Sequence, residues 1–288
     1  EELIQQEKPD WVLVYGDTNS TLAGALAAAK LHLPIAHVEA GLRSHNPAMP
    51  EEINRVLTDR VSSLLLCPTK TAVNNLEKEG FPYKAITKLR QQIVNVGDVM
   101  FDVVLYYRER ALKEVNLETF GLEHQSYALC TIHRQENTDQ AERIKSILSA
   151  LQSIAKNLVV VLPLHPRTKA KISQYNLESF LKGLHLLDPL PYLEMQRLQM
   201  SAKVVLTDSG GIQKEAYFHQ VPCITLRDET EWTETVEQGW NQLAGAEKEK
   251  IVNLYSLKTE RNEYDSKCYG HGKASRKILD RLINYKKN

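Results

Sequence analysis

Leu206-Thr207-Asp208-Ser209-Gly210-Gly211-Ile212-Gln213-Lys214-Glu215-Ala216 carries an apolar, β-branched run through Ser-Gly-Gly and straight into a helical stretch. Two glycines at a strand-to-helix turn leave room for a phosphate to approach the backbone. The helix start adds unpaired N–H groups and a partial positive charge. Glu215 falls one turn into that helix, where a carboxylate can accept hydrogen bonds from two ribose hydroxyls. The competing reading is a Gly-rich turn followed by an ordinary helix glutamate. Nothing else in the turn needs two glycines, so Ser209, Gly210, Gly211 and Glu215 are read as a diphosphate and ribose site.

Working outward, five other apolar runs stop in the same manner at a short polar cluster. Asp10 to Tyr15 runs into Gly16-Asp17-Thr18, and Pro34 to Val38 into Glu39-Ala40-Gly41-Leu42-Arg43. Ile93 to Val96 meets Gly97-Asp98, Tyr127 to Ile132 meets His133-Arg134, and Val159 to Leu164 meets His165-Pro166-Arg167. Helical stretches alternate with these strands over 19–31, 51–61 and 69–79, the pattern of a parallel sheet covered on both faces. In open parallel sheets ligands bind outside the carboxyl ends of the strands. The fold class expected is therefore α/β with two Rossmann-like domains and the ligand cleft between them. The polar segment Lys113 to Ser126 marks the junction, giving domains 1–112 and 113–268, with 269–288 as a final helix.

The chain has 288 residues, 36 basic and 36 acidic, so no net charge favours nucleic acid or an anionic membrane as partner. The four cysteines form no C-x-x-C pair, and no histidine pair has ligand spacing, so neither a metal site nor a disulfide framework is expected. There is no signal peptide and no apolar stretch of the roughly 20 residues a membrane span needs, which predicts a cytoplasmic protein. Glu1 to Lys8 reads as the end of a helix already under way, so the chain is expected to be a fragment of something longer.

The first two strands should be neighbours, which turns Asp17 and Glu39 into one crevice and suits them to acid–base work. In Pro50-Glu51-Glu52-Ile53-Asn54-Arg55 the proline suits a helix start, and Glu51 shares a helix face with Arg55. Glu52 is read as a first-turn acid that favours the helix dipole. His133 and His165 end strands of the second domain, each beside an arginine (Arg134, Arg167), and phosphate contact or proton transfer are both open to them. His32, His124, His185 and His219 are read as structural.

Together these pieces resemble the non-hydrolysing UDP-N-acetylglucosamine 2-epimerase family. The resemblance runs in order through Tyr15 to Thr18, His37 to Arg43, Pro50 to Arg55, Val96 to Asp98, Thr131 to Arg134, Leu164 to Pro166, Leu206 to Glu215, Arg227 to Glu231 and Tyr269-Gly270. It implies the GT-B type of two-Rossmann architecture, with the last helix crossing back to the first domain. It also implies inversion at C2 of UDP-GlcNAc to UDP-ManNAc, without a cofactor, through elimination of UDP and a 2-acetamidoglucal intermediate. By that resemblance Asp17, Glu39 and Glu51 match the acidic triad and His165 a diphosphate-side histidine. Arg55 and His133 join the substrate contacts beside Ser209, Gly210, Gly211 and Glu215. A UDP-sugar and a second copy of the chain are the implied partners.

Three departures from the family pattern bear on this reading. Its opening strand and Gly-Thr-Arg-Pro-Glu loop would precede Glu1, so the chain alone is expected to be inactive or poorly folded. Trp232 stands where many members have arginine. It is followed by the Glu-Thr-Val run and Gly239-Trp240-Asn241 of a subgroup that includes epimerases of UDP-diacetamido-glucuronic acid as well as of UDP-GlcNAc, so both substrates stay open at this point. His271 stands where aspartate is usual. A GT-B glycosyltransferase and a UDP-sugar-binding remnant without catalysis are the remaining alternatives.

Overall fold

The computed structural model describes residues 1–83, 91–257 and 262–285. The chain divides into two compact units, residues 1–103 together with the segment from Ser266 onward, and Val104–Asp265.

In the first unit α1 (Glu2–Glu7), β1 (Val12–Tyr15), α2 (Asn19–Lys30), β2 (Ile35–Val38), α3 (Pro50–Val61), β3 (Leu64–Cys67), α4 (Lys70–Lys78), β4 (Gln92–Asn95) and α5 (Val99–Glu114) follow in order. The strands form one parallel sheet, β1-β2-β3-β4, with Tyr15 opposite Val38 and Cys67 opposite Asn95. Every residue of β2 and β3 is buried, as unbroken apolar strands covered on both faces must be. Alternation sends Ala36 and Val38 to one face, where they pack with Ile278 of the terminal helix. Ile35 goes to the other face with Ala25 and Ala28 of α2. Capping fixes the helix starts: Thr18 and Thr21 exchange hydrogen bonds before α2, Thr69 accepts from the Ala72 N–H, and Pro50 opens α3.

In the second unit β5 (Tyr127–Thr131), α6 (Gln135–Thr138), α7 (Ala141–Ile154), β6 (Val159–Pro163), α8 (Pro166–Gln174), β7 (His185–Leu187) and α9 (Tyr192–Ser201) come first. Then come β8 (Val204–Thr207), α10 (Gly210–Phe218), β9 (Cys223–Thr225), α11 (Thr233–Glu237), β10 (Asn241–Leu243) and α12 (Lys248–Ser256). The sheet order is β10-β9-β8-β5-β6-β7, and neighbouring strands pair in parallel throughout. The chain runs outward from β5 to β7, then returns to lay β8 on the other side of β5. The topological switch point is therefore the β5/β8 boundary, the place where such sheets bind ligands. Each unit is thus a Rossmann-like layer, as the sequence leads one to expect. Among the described residues no helix is long and apolar enough to cross a membrane.

The boundary falls within α5, at Val103/Val104, where the sequence reading places it after Leu112. One continuous helix serves both units: Asp102 binds the returning chain, while the Tyr107 ring meets Tyr192 edge-on at 5.6 Å. A helix without a Gly or Pro break gives no sequence sign of such a change of allegiance. The return begins at Ser266 and ends in α13 (Ala274–Ile283). The Asp98 N–H donates to the Tyr269 carbonyl (2.9 Å), and Asp102 accepts from the Ala274 and Ser275 N–H groups. Gly97, at φ 90°, lies so close that a Cβ would stand 2.9 Å from the Tyr269 oxygen and 3.3 Å from the Gly270 Cα. The polar cluster after β4 therefore clasps the returning chain.

Gly97→Ala is expected to lower stability by about 3 kcal/mol, because left-handed strain and a backbone clash combine. Gly121→Ala meets only the strain, since nothing lies within 4 Å of its would-be Cβ, and should cost about 1 kcal/mol. Urea unfolding of the two variants checks this; equal losses would mean that the close approach contributes nothing.

Candidate functional site

The first unit gathers its polar groups at the ends of β1 and β2. Gly16, at φ 62°, turns the chain sharply and donates its N–H to Val38 O (3.0 Å). Asp17 follows, half-buried, with Oδ2 receiving Arg55 Nη2 at 2.5 Å and its backbone oxygen receiving Asn54 Nδ2 at 2.9 Å. Glu39 adopts φ 70°, a left-handed conformation that a non-glycine residue adopts at a cost of roughly 1–2 kcal/mol. The twist brings its carboxylate back over β1: Oε2 stands 3.3 Å from where a Gly16 Cβ would be. Asp17 and Glu39 thus flank one glycine turn, and Arg55 joins them. Glu51 is half-buried in the first turn of α3, four residues before Arg55.

Glu52 has a larger part than the helix-dipole role read from sequence. It is buried and accepts from the Ser44 N–H (2.9 Å), the Ser44 hydroxyl (3.0 Å), the His45 N–H (3.1 Å) and Arg55 Nη1 (2.5 Å). It pins the loop before α3 and holds the guanidinium that reaches Asp17. Asp59, which no local pattern singles out, is fully buried. It accepts from the Gly41 N–H (3.1 Å) and Arg43 Nη1 (2.8 Å), and pairs with His37 Nδ1 (2.7 Å). Burial pushes its carboxyl up, but the hydrogen bond and charge of His37, then those of Arg43, outweigh that and hold it below the ordinary carboxylate range. Arg43 in turn forks onto Glu79 at 2.6 and 2.8 Å.

The second unit builds at its switch point. Thr131 and Thr207 join their hydroxyls across β5 and β8 at 2.6 Å. Asp208, fully buried at the end of β8, accepts from the backbone N–H groups of His133 (3.1 Å) and Arg134 (3.0 Å) and from Asn137 Nδ2 (3.1 Å). Its Oδ1 also faces His133 Nδ1 at 3.2 Å. His165 is exposed at the N-cap of α8, and its Nδ1 accepts the Arg167 N–H at 3.2 Å. A ring nitrogen that accepts carries no proton, so the neutral ring holds its hydrogen on Nε2. The two imidazoles lie 6.1 Å apart, centre to centre. Arg167, the arginine beside His165, grips Asp139 at 2.8 and 2.9 Å.

Directly after Asp208 comes the Ser-Gly-Gly turn. Ser209 caps α10, and Glu231 and Trp232 pack against Gly210. A Cβ on Gly210 would stand 2.5 Å from Glu231 Oε1 and 3.2 Å from Trp232 Nε1. Glu231 pairs with Arg227 at 3.0 Å, and Lys214 Nζ sits 3.9 Å above the buried Trp232 ring. The indole at 232 therefore faces a buried lysine, where an arginine would add a second cation. Glu215, one turn on, accepts from Gln199 Nε2 at 2.7 Å. Burial lifts its carboxyl above the ordinary range, against the hydrogen bond of Gln199 and the charge of Lys214.

A Ser-Gly-Gly turn at the switch point of one parallel sheet, and carboxylates gathered at the strand ends of the other, place this chain among α/β proteins of two Rossmann-like units. The sequence profile of the UDP-N-acetylglucosamine 2-epimerase family matches residues 1–283, and the chain belongs to that family, whose members are isomerases. It is 51% identical to UDP-2,3-diacetamido-2,3-dideoxy-D-glucuronate 2-epimerase of Pseudomonas aeruginosa, over 98% of this chain and 77% of that protein. It is 42% identical to UDP-N-acetylglucosamine 2-epimerase of Methanocaldococcus jannaschii, over the full chain and 78% of that protein. The crystal structure of a Methanocaldococcus jannaschii UDP-GlcNAc 2-epimerase in complex with UDP-GlcNAc and UDP superposes with a TM-score of 0.90, covering 99% of this chain and 78% of the other.

Two outcomes follow from the first unit. Glu39→Gly relieves the left-handed strain and is expected to leave stability unchanged or raised by up to about 1 kcal/mol. Glu39→Val, β-branched, should lower it by about 2 kcal/mol in the same thermal melts. Asp59→Asn removes the buried carboxylate that faces the buried Arg43 guanidinium and should cost about 3–5 kcal/mol at neutral pH. Because the native Asp59 carboxyl is held low, its stabilisation is present above the unfolded value of about 3.9 and is lost as pH falls through the native one. Denaturation at pH 7, 5 and 3 should show the gap between wild type and Asp59→Asn closing only at the acid end; a gap constant to pH 3 contradicts the assignment.

Proposed function

We propose that this protein inverts C2 of a UDP-linked 2-acetamido sugar by eliminating UDP and adding it back. One carboxylate removes the C2 proton as the bond from C1 to the diphosphate oxygen breaks, leaving a C1–C2 double bond in the sugar and free UDP. A second carboxylate then delivers a proton to the opposite face of C2 while the diphosphate oxygen returns to C1. Asp17, Glu39 and Glu51 are assigned this proton work. The observation that carries the reading is the pair Asp17 and Glu39 around the Gly16 turn, with Arg55 holding Asp17 in place. Backbone N–H groups of the Ser209-Gly210-Gly211 turn are assigned the diphosphate, whose negative charge grows on departure. The Nε2–H of His165 is assigned to the same diphosphate, and Glu215 to the ribose hydroxyls.

Between the two sugars, UDP-GlcNAc is the reading from sequence motifs. The higher identity to the diacetamido-glucuronate enzyme, 51% against 42%, favours UDP-2,3-diacetamido-2,3-dideoxyglucuronate. We take the diacetamido-uronate as the preferred substrate. Cofactor-free chemistry, a cytoplasmic location and a homodimeric state belong to the same proposal.

Proton NMR of each UDP-sugar with the protein in deuterated water tests it. Deuterium should enter at C2 while a second C2 epimer grows in, faster for the diacetamido-uronate. Exchange with UDP-GlcNAc alone reverses the substrate assignment. Folded protein that leaves both sugars untouched, even at high concentration, removes the epimerase reading.

A further inference from the structure

His37 lies in the middle of the first sheet, wholly buried, two residues before Glu39. Its Nδ1 is 2.7 Å from Asp59 Oδ1, and its Nε2 is 2.8 Å from the backbone oxygen of Gly16. A carbonyl oxygen only accepts, and an ionised carboxylate only accepts. A neutral imidazole has one N–H, so one of these two short contacts would then set a bare nitrogen against an oxygen. Both contacts are satisfied at once only when both nitrogens carry protons.

Asp59 from α3 faces His37 on one side and Arg43, from the loop after β2, on the other, so the ring and the guanidinium share one buried carboxylate. Arg43 reaches on to Glu79, which is exposed at the end of α4. The remaining ionisable groups nearby are Asp17 after β1, Glu39 after β2 and the Cys67 thiol at the end of β3, which burial pushes well above its ordinary value.

The Gly16 oxygen belongs to the peptide that begins Asp17. The next peptide oxygen is held by Asn54 Nδ2 and the side chain by Arg55. We propose that His37 is a positioning residue held doubly protonated, an imidazolium that gives one N–H to Asp59 and the other to Gly16 O and so fixes the peptide presenting Asp17. This role rests on the epimerase reading, but the charge state of the ring does not.

The test has two arms. In 15N-histidine-labelled wild type, long-range 1H–15N correlation spectra from pH 6 to 9 report each ring. The His37 signals, identified by their loss in His37→Asn or His37→Gln, should keep the two similar nitrogens of a protonated ring at pH 8.5. A free imidazole is neutral there. One strongly shifted bare nitrogen at neutral pH overturns the proposal, whatever the enzyme's substrate. In the C2 exchange assay His37→Asn should lower kcat about 100-fold with a smaller change in KM, as loss of alignment does. His37→Gln, which can still donate to Gly16 O, serves if the asparagine variant does not fold. It should recover part of kcat. Unchanged kcat in a folded variant overturns the positioning role. If no UDP-sugar turns over with wild type, the epimerase reading fails and the nitrogen spectra alone decide the state of His37.

Discussion

A carboxylate sealed from water must collect enough N–H groups to replace its lost hydration, and this demand organises the loops of both units. Asp59 answers it with Gly41, Arg43 and His37, drawing the segment after β2 down onto α3. Asp208 answers it with His133, Arg134 and Asn137, drawing the end of β5 onto the end of β8. Neither residue is placed to touch a ligand in the proposed chemistry. Each sets the backbone on which the groups that do so are carried, and so the geometry of the candidate sites depends on partnerships well inside the protein.

Much of that arrangement is visible in the chain itself, and the part that is not has a common cause. The parallel strands, the adjacency of β1 and β2, and the Ser-Gly-Gly entry to α10 are local patterns, and the structure reproduces them. Asp59 stands in Leu57-Thr58-Asp59-Arg60, where nothing distinguishes it from a surface acid, because its partners are 16 to 22 residues away. Glu52 satisfies the helix-dipole rule and for that reason passes as ordinary, although its energetics lie in four contacts to a loop and an arginine. Gly97-Asp98 has the same look as the strand ends that carry Asp17 and Glu39 yet grips Tyr269-Gly270, some 170 residues later. Arg167 looks available for phosphate until Asp139 is seen beneath it. Periodicity reports which face a residue takes, not which distant group will meet it.

Trp232 shows how a departure from a family pattern can be read physically. The indole is 3% exposed, lies against Gly210 and receives the Lys214 ammonium on its face. A residue at 232 that carried its own positive charge would confront that lysine in a place with little water to screen it. Tryptophan at 232 and lysine at 214 are therefore a matched pair, set directly behind the turn assigned to the diphosphate.

The return of the chain from Ser266 to α13 makes the first unit a two-piece assembly, with the whole second unit inserted between its parts. The inserted piece is contiguous and has its own sheet, so on the ribosome it can close as soon as it emerges. The first unit must wait with the α13 side of its sheet uncovered, Ala36, Val38, Leu64 and Leu66 among the exposed residues, until α13 arrives to cover them. The order of synthesis thus makes the carboxylate-bearing half the last to be completed, and any pause in translation after Asp265 would prolong its exposure.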